Sequence, residues 1–154
     1  MTVPTKTGRG EQEASARLTV VYPEPSVVTA ALGITPDTSW RAGDARRPGF
    51  RPAKCGTWRL IEDEVAIPDN SWYGEYVERC LRRLLLRIEP TEFRRRLATI
   101  DPNLRPAIVL TGSVYGLPNV YIPPELAEKI GELGAAIEED FYALPSKEES
   151  PGGA

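Results

Sequence analysis

Three groups of side chains in this 154-residue chain have types and spacings that could do chemistry. The first is Trp40-Arg41-Ala42-Gly43-Asp44. An indole beside a guanidinium, with Gly43 able to take positive φ and Asp44 able to bond loop amides or pair with Arg41, could form a rigid docking surface or a small pocket. The same residues could equally make a structural turn, with Trp40 lying over a sheet and Trp58 stacked nearby. Arg46, Arg47 and Arg51 extend the segment with positive charge, so the candidate binding set is Trp40, Arg41, Asp44, Arg46, Arg47, Arg51 and Trp58. The second group is Arg79, Arg83 and Arg87, spaced i, i+4, i+8, with Arg82 and Arg94 to Arg96 close by. Such a row could offer a cationic strip to phosphate or to an acidic partner, or could simply be a solvated helix face. No aromatic is interleaved with it, which argues against a stacking platform for nucleic acid. The third group is Asp63 with Glu64, and Glu138-Glu139-Asp140. Neighbours on a strand point to opposite faces, so only Glu138 and Asp140 share a side. Two carboxyls there could hold a metal or divide acid and base roles, or could guard a strand edge with charge.

Whole classes of chemistry are missing at the level of composition. The chain contains no histidine, which removes Ser-His-Asp and Cys-His nucleophile systems, His-ligated zinc and imidazole switching from what it can build alone. Its two cysteines, Cys55 and Cys80, match no metal spacing; Cys80 reads as a core thiol and Cys55 as one at a loop end. No cofactor motif is present: Gly112 to Gly116 lacks the lysine and spacing of a phosphate loop. There is no apolar run long enough for a membrane span, and the polar N-terminus has no apolar signal core, so a cytoplasmic location with reduced thiols is expected. The net charge of -3 conceals an asymmetry. Residues 41–105 hold 14 Lys and Arg against 10 Asp and Glu, a balance of +4, while the rest of the chain holds 5 against 12, a balance of -7. A basic centre could attract an acidic partner, though 15 arginines among 19 basic residues is also the skew of a GC-rich gene.

The elements that must position these groups follow from periodicity. Residues 1–15 and 146–154 are polar and lack apolar periodicity; they are expected to be disordered tails around one domain over 16–145. Ala16 to Tyr22 reads as a strand, and Pro25 opens a short helix that Gly33 stops. Residues 34–56 form a long loop rich in Pro, Gly and Arg, and Thr57 to Glu62 a second strand. Trp72 to Ile88 repeats apolar residues every three or four positions, with Glu75–Arg79 and Glu78–Arg82 as i, i+4 pairs on the other side. Pro90 ends it and a short helix follows through Leu97. Ala107 to Thr111 reads as a buried strand that turns at Gly112–Gly116 into a hairpin partner at Asn119–Ile122. A helix from Pro123-Pro124 to Gly134 and a final strand, Ala135 to Leu144, close the domain. Two β-α-β units joined by a hairpin give an α+β, ferredoxin-like two-layer sandwich, a mostly antiparallel sheet with helices on one face.

Gly33-Ile34-Thr35-Pro36-Asp37, Ser39-Trp40-Arg41-Ala42-Gly43-Asp44 and Gly56-Thr57-Trp58, with Leu133-Gly134 and Asp140-Phe141-Tyr142 later, resemble the bacterial domain-of-unknown-function family 4279 over about residues 16–142. The Arg46-Arg47-Pro48-Gly49-Phe50-Arg51-Pro52 insert departs from its pattern. The resemblance implies a domain and no established activity. The overall profile also resembles immunity-type proteins that neutralise bacterial toxins: small, α+β, and dependent on surface complementarity. A non-catalytic protein-binding module is therefore the leading expectation. A small-ligand site or carboxylate enzyme near Trp40–Asp44 is the alternative, and nucleic-acid binding the remote one.

Overall fold

The computed structural model describes residues 11–45 and 51–145. The chain runs β1 (Gln12–Val21), α1 (Pro25–Leu32), β2 (Thr38–Trp40), β3 (Thr57–Ile67), α2 (Tyr73–Leu86), α3 (Pro90–Ala98), β4 (Ala107–Val114), α4 (Pro124–Leu133) and β5 (Ala136–Ala143). The strands form one sheet in the order β2-β3-β1-β4-β5. All its pairings are antiparallel except the parallel β4–β5 pair. The α+β class, the mostly antiparallel sheet and the helix layer are thus as the periodicity reads.

The period-two alternation of β1 decides where the core lies. Ala14, Ala16, Leu18 and Val20 point to one side and are buried, as are Trp58 and Leu60 of β3 and Ile108 and Leu110 of β4. Against them α2 lays Val77, Cys80, Leu81, Leu84 and Leu85 at three- and four-residue spacing. Phe93, Leu97, Leu126, Ile130 and Leu133 from α3 and α4 complete the same cluster. The two alanines of β1 let α2 approach closely: the Cys80 thiol lies 3.7 Å from the Ala14 carbonyl oxygen. No helix among the described residues lies against the opposite face of the sheet.

Three boundaries differ from the sequence reading, each for a physical reason. β1 begins at Gln12, not at 16, because Gln12, Ala14 and Ser15 are bracketed by β3 and β4 and buried there. Small and polar side chains hide that from a hydrophobicity pattern. Thr38–Trp40, read as loop, is a three-residue edge strand on β3. The expected hairpin between 107–111 and 119–122 does not form. β4 runs on through Gly112 to Val114, and residues 115–123 are no strand. Pro118 and Pro123 lack the N–H groups a ladder needs, and the segment instead lies against α2, where the Asn119 carbonyl leaves room only for a glycine at position 74. The edge of β4 is taken by β5 after the α4 crossover, so a parallel β-α-β unit forms with β4 in place of the expected strand at 119–122, while β1 and β3, expected to be the strands of the other unit, pair antiparallel.

Gly112 marks where the layers meet. Its φ is +153°, and a Cβ there would run into the Glu13 carbonyl oxygen and the Tyr73 hydroxyl. Tyr73 uses that space to donate to the Glu13 carbonyl at 2.6 Å, tying α2 to β1.

Candidate functional site

Strand alternation separates the two tryptophans of the candidate set. β2 pairs Trp40 with Thr57 and Ser39 with Trp58, so the two indoles point to opposite sides of the sheet. Trp58 is 0% exposed, packs against Phe93 with ring centroids 6.0 Å apart, and donates its indole N–H to Thr29 Oγ1 at 3.1 Å. It is a core residue, not a neighbour stacked on Trp40. Trp40 lies half-buried on the open side with the Arg59 guanidinium 5.1 Å above its ring. Arg59 in turn donates to Thr19 Oγ1 at 3.2 Å.

Arg41 and Asp44 are brought beside Trp40, but not as a pair of side chains. Asp44 Oδ2 accepts the backbone N–H of Arg41 at 2.8 Å, and the Arg41 guanidinium reaches Glu24 at 3.0 Å. Backbone bonds from Gly43 N to the Ala53 oxygen and from Ala53 N to the Asp44 oxygen clasp residues 43 and 44 against residue 53. Gly43 has φ +89°, the conformation expected of it. A cleft of about 640 Å³ opens between α1 and β2, walled by Glu24, Thr29, Pro36, Ser39, Trp40 and Arg41. Glu24 was missed by sequence reasoning, since a lone acid before Pro25 carries no local signal. Arg51 is exposed beyond the clasp, and Arg46 and Arg47 lie outside the described residues.

The arginine row on α2 is neutralised within the molecule. Arg79 reaches Glu75 at 3.6 Å and Glu64 at 3.8 Å, and Arg82 reaches Glu78 at 3.6 Å and Glu125 at 3.2 Å. Arg83 bonds Glu64 at 2.7 Å and the Asp63 carbonyl at 2.9 Å. Arg87 holds both oxygens of Asp37, at 2.6 and 3.0 Å, while Asp37 Oδ2 also accepts the Ile61 N–H at 2.7 Å. The hydrogen-bonded guanidinium keeps the Asp37 carboxyl below its usual pKa, and Asp37 and Glu64 push Arg87 and Arg83 above theirs. The i, i+4 partners are legible in the sequence; Glu64, Asp37 and Glu125 come from distant elements and are not. With its charges satisfied in this way, the row has little left to offer phosphate.

The open face carries the opposite arrangement. Register places Asp63, Ser15, Thr111 and Asp140 side by side across β3, β1, β4 and β5, with Arg17 one step along β1 and Glu13 one step the other way. Glu138 and Asp140 do share that side. A cavity of about 310 Å³ lies here, with Glu13, Arg17, Asp63, Val65, Asp140 and Tyr142 around it. By contrast, the nucleophile-capable groups of the core are sealed. Burial pushes the Cys80 thiol up to about 12 and the Tyr73 hydroxyl beyond its ordinary range. Cys55 is exposed. Among the described residues no three His, Cys, Asp or Glu side chains gather as a metal site, and no helix is long and apolar enough to cross a membrane.

Fold and sites together define an α+β protein whose open, mostly antiparallel sheet is covered on one face by four helices and, among the described residues, by none on the other. The chain belongs to the domain-of-unknown-function family DUF4279, whose pattern matches residues 13–144. That span takes in the whole sheet from Glu13 of β1 to the end of β5. No curated protein and no solved structure matches it.

Proposed function

We propose that the protein is a non-catalytic binding module that engages a protein partner through the open face of its sheet and the Trp40–Asp44 clasp at the rim. The observation that supports this most is the contrast in pairing. The arginines of α2 find partners inside the molecule, whereas the open face keeps the charges of Arg17, Asp63 and Asp140 without an ion pair among the described residues. Unpaired charge on a flat sheet is the kind of surface that steers and registers a partner. Exposed Val21, Val65 and Tyr142 add apolar contact area on the same side. An immunity-type role, in which a small protein masks a toxin by surface complementarity, is the form of this reading that requires least chemistry of the chain itself.

The partner's surface would be acidic opposite the clasp, where Arg46, Arg47 and Arg51 lie in sequence. Charge reversal of those three should therefore slow association by about tenfold or more at low salt and leave dissociation nearly unchanged. The experiment is affinity capture from cells that make the chain natively, followed by kinetics with the recovered partner. A partner captured equally by the reversed variant at all salt concentrations would contradict the role of the clasp. Capture that survives substitution of the whole open face would contradict the module.

A further inference from the structure

We infer that the open-face cavity is a site for a basic α-amino acid, a small molecule with one carboxylate and two cationic nitrogens such as lysine, ornithine or arginine. This goes beyond the protein-binding reading and does not depend on it.

The cavity exists because of side-chain size along one row of the sheet. Its floor is made by Ser15, Thr111 and Gly112 on the central strands β1 and β4, and its walls by Asp63 on β3 and Asp140 on β5. Three strand spacings put the Cα atoms of those two aspartates about 14 Å apart, so they bound the cavity on opposite sides. At 310 Å³ the space is at the small end of ligand pockets, suited to a molecule of amino-acid size.

The polar groups are arranged for a ligand with both signs of charge. Arg17 is held by one bond, from Nε to Ser15 Oγ at 3.3 Å, and its two terminal nitrogens have no partner among the described residues. That leaves a planar fork of the kind that takes a carboxylate bidentately. Ser15 is only 6% exposed; its oxygen accepts from Arg17, and its own hydroxyl proton has no acceptor among the described residues. Glu13, Asp63 and Asp140 each engage a backbone carbonyl with a neighbouring element, but their carboxylates make no hydrogen bond or ion pair there. Three carboxylates against one guanidinium leave the site short of positive charge. A simple carboxylate would satisfy Arg17 and worsen that imbalance; a simple diamine would satisfy the acids and leave Arg17 facing a cation. A basic amino acid answers both, with its carboxylate on Arg17, its α-ammonium on one aspartate and its side-chain cation on the other. Charges that merely guarded a sheet edge would not include an arginine wedged on a buried serine.

The test is calorimetric titration of the full-length protein with L-lysine and L-arginine, with L-glutamate and putrescine as controls. Saturable one-to-one binding of the basic amino acids is expected, with both controls weaker by about tenfold or more. Arg17→Met should lower lysine affinity by about tenfold and leave putrescine binding no weaker, and Asp63→Asn and Asp140→Asn should each weaken both amines. Unchanged circular dichroism and melting temperature would show that the variants are folded. No saturable heat with lysine or arginine at millimolar concentration would overturn the inference. So would equal binding of glutamate, or lysine binding indifferent to Arg17→Met.

Discussion

The two faces of the sheet solve the problem of polar groups in opposite ways. On the helix side nearly every position is apolar or spoken for: Trp58 has its N–H on Thr29, Arg83 has Glu64, Arg87 has Asp37. On the open side of the same sheet, Arg17, Asp63 and Asp140 share a cavity with no ion pair among the described residues. Groups satisfied internally contribute to stability and have little left for a partner; groups left unsatisfied in water cost little and remain available. The arginine row most conspicuous in the sequence is thus paired within the molecule, while the inconspicuous polar alternation of β1 forms the surface that the proposed binding would use.

The contrast between the two faces can be measured. The widest contrast is expected in thiol chemistry. Exposed Cys55 should react with an aromatic disulfide reagent in the native protein, while Cys80, buried with its pKa near 12, should react at least about 100-fold more slowly. One rapid thiol equivalent per chain, and a second only in denaturant, is the expected count; two rapid equivalents would mean the helix layer is not closed.

Next in size is the core itself. Trp58→Ala removes the largest wholly buried side chain together with its N–H bond to Thr29, so urea unfolding should show a loss of about 3–5 kcal/mol. A loss under about 1 kcal/mol would put Trp58 at a surface instead.

A smaller effect belongs to the Asp37–Arg87 pair. Asp37→Asn should cost about 1 kcal/mol or less at neutral pH, because both side chains are partly exposed and water screens them. The folded Asp37 is held below its ordinary pKa, so its contribution is present above the unfolded value and lost as pH falls through the folded one. Thermal melts should thus separate wild type and variant at pH 6, with the gap closing only as pH falls from about 4 through the lower folded value. A gap that widens in acid would reverse the sign of the argument.

The smallest effects are expected on the open face. Arg17→Met, Val65→Ser and Asp140→Asn should each change stability by no more than about 0.5 kcal/mol. A larger loss at any of them would make that residue part of the scaffold and weaken its case as a contact.

The sequence made much of this architecture legible, but unevenly. α2 is plain in it because eight apolar residues recur at helical spacing, and the ends of α1 and α4 fall at Gly33 and Gly134 as expected. The family and its extent are also readable, from 16–142 in sequence against 13–144 in the match. The start of β1 was not, since Gln12 to Ser15 are small or polar and are buried only by the strands on both sides. The β4–β5 pairing was obscured by the short apolar stretch at 119–122, which has strand composition but prolines at both ends. Of the candidate site, Trp40, Arg41 and Asp44 do come together, and Trp58 is separated from them by the alternation of a strand that sequence reading placed in a loop. The open-face cavity depends on register across four strands, which no local pattern encodes.

The proposed binding puts the working surface on the sheet face that no described helix covers. A photo-crosslinking amino acid placed in turn at Val21, Val65 and Tyr142 on that face, and at Glu128 and Glu132 on α4, tests it in cells that make the protein natively. The prediction is a discrete crosslinked species from the sheet positions and none from the helix positions. Crosslinks confined to α4 would contradict it.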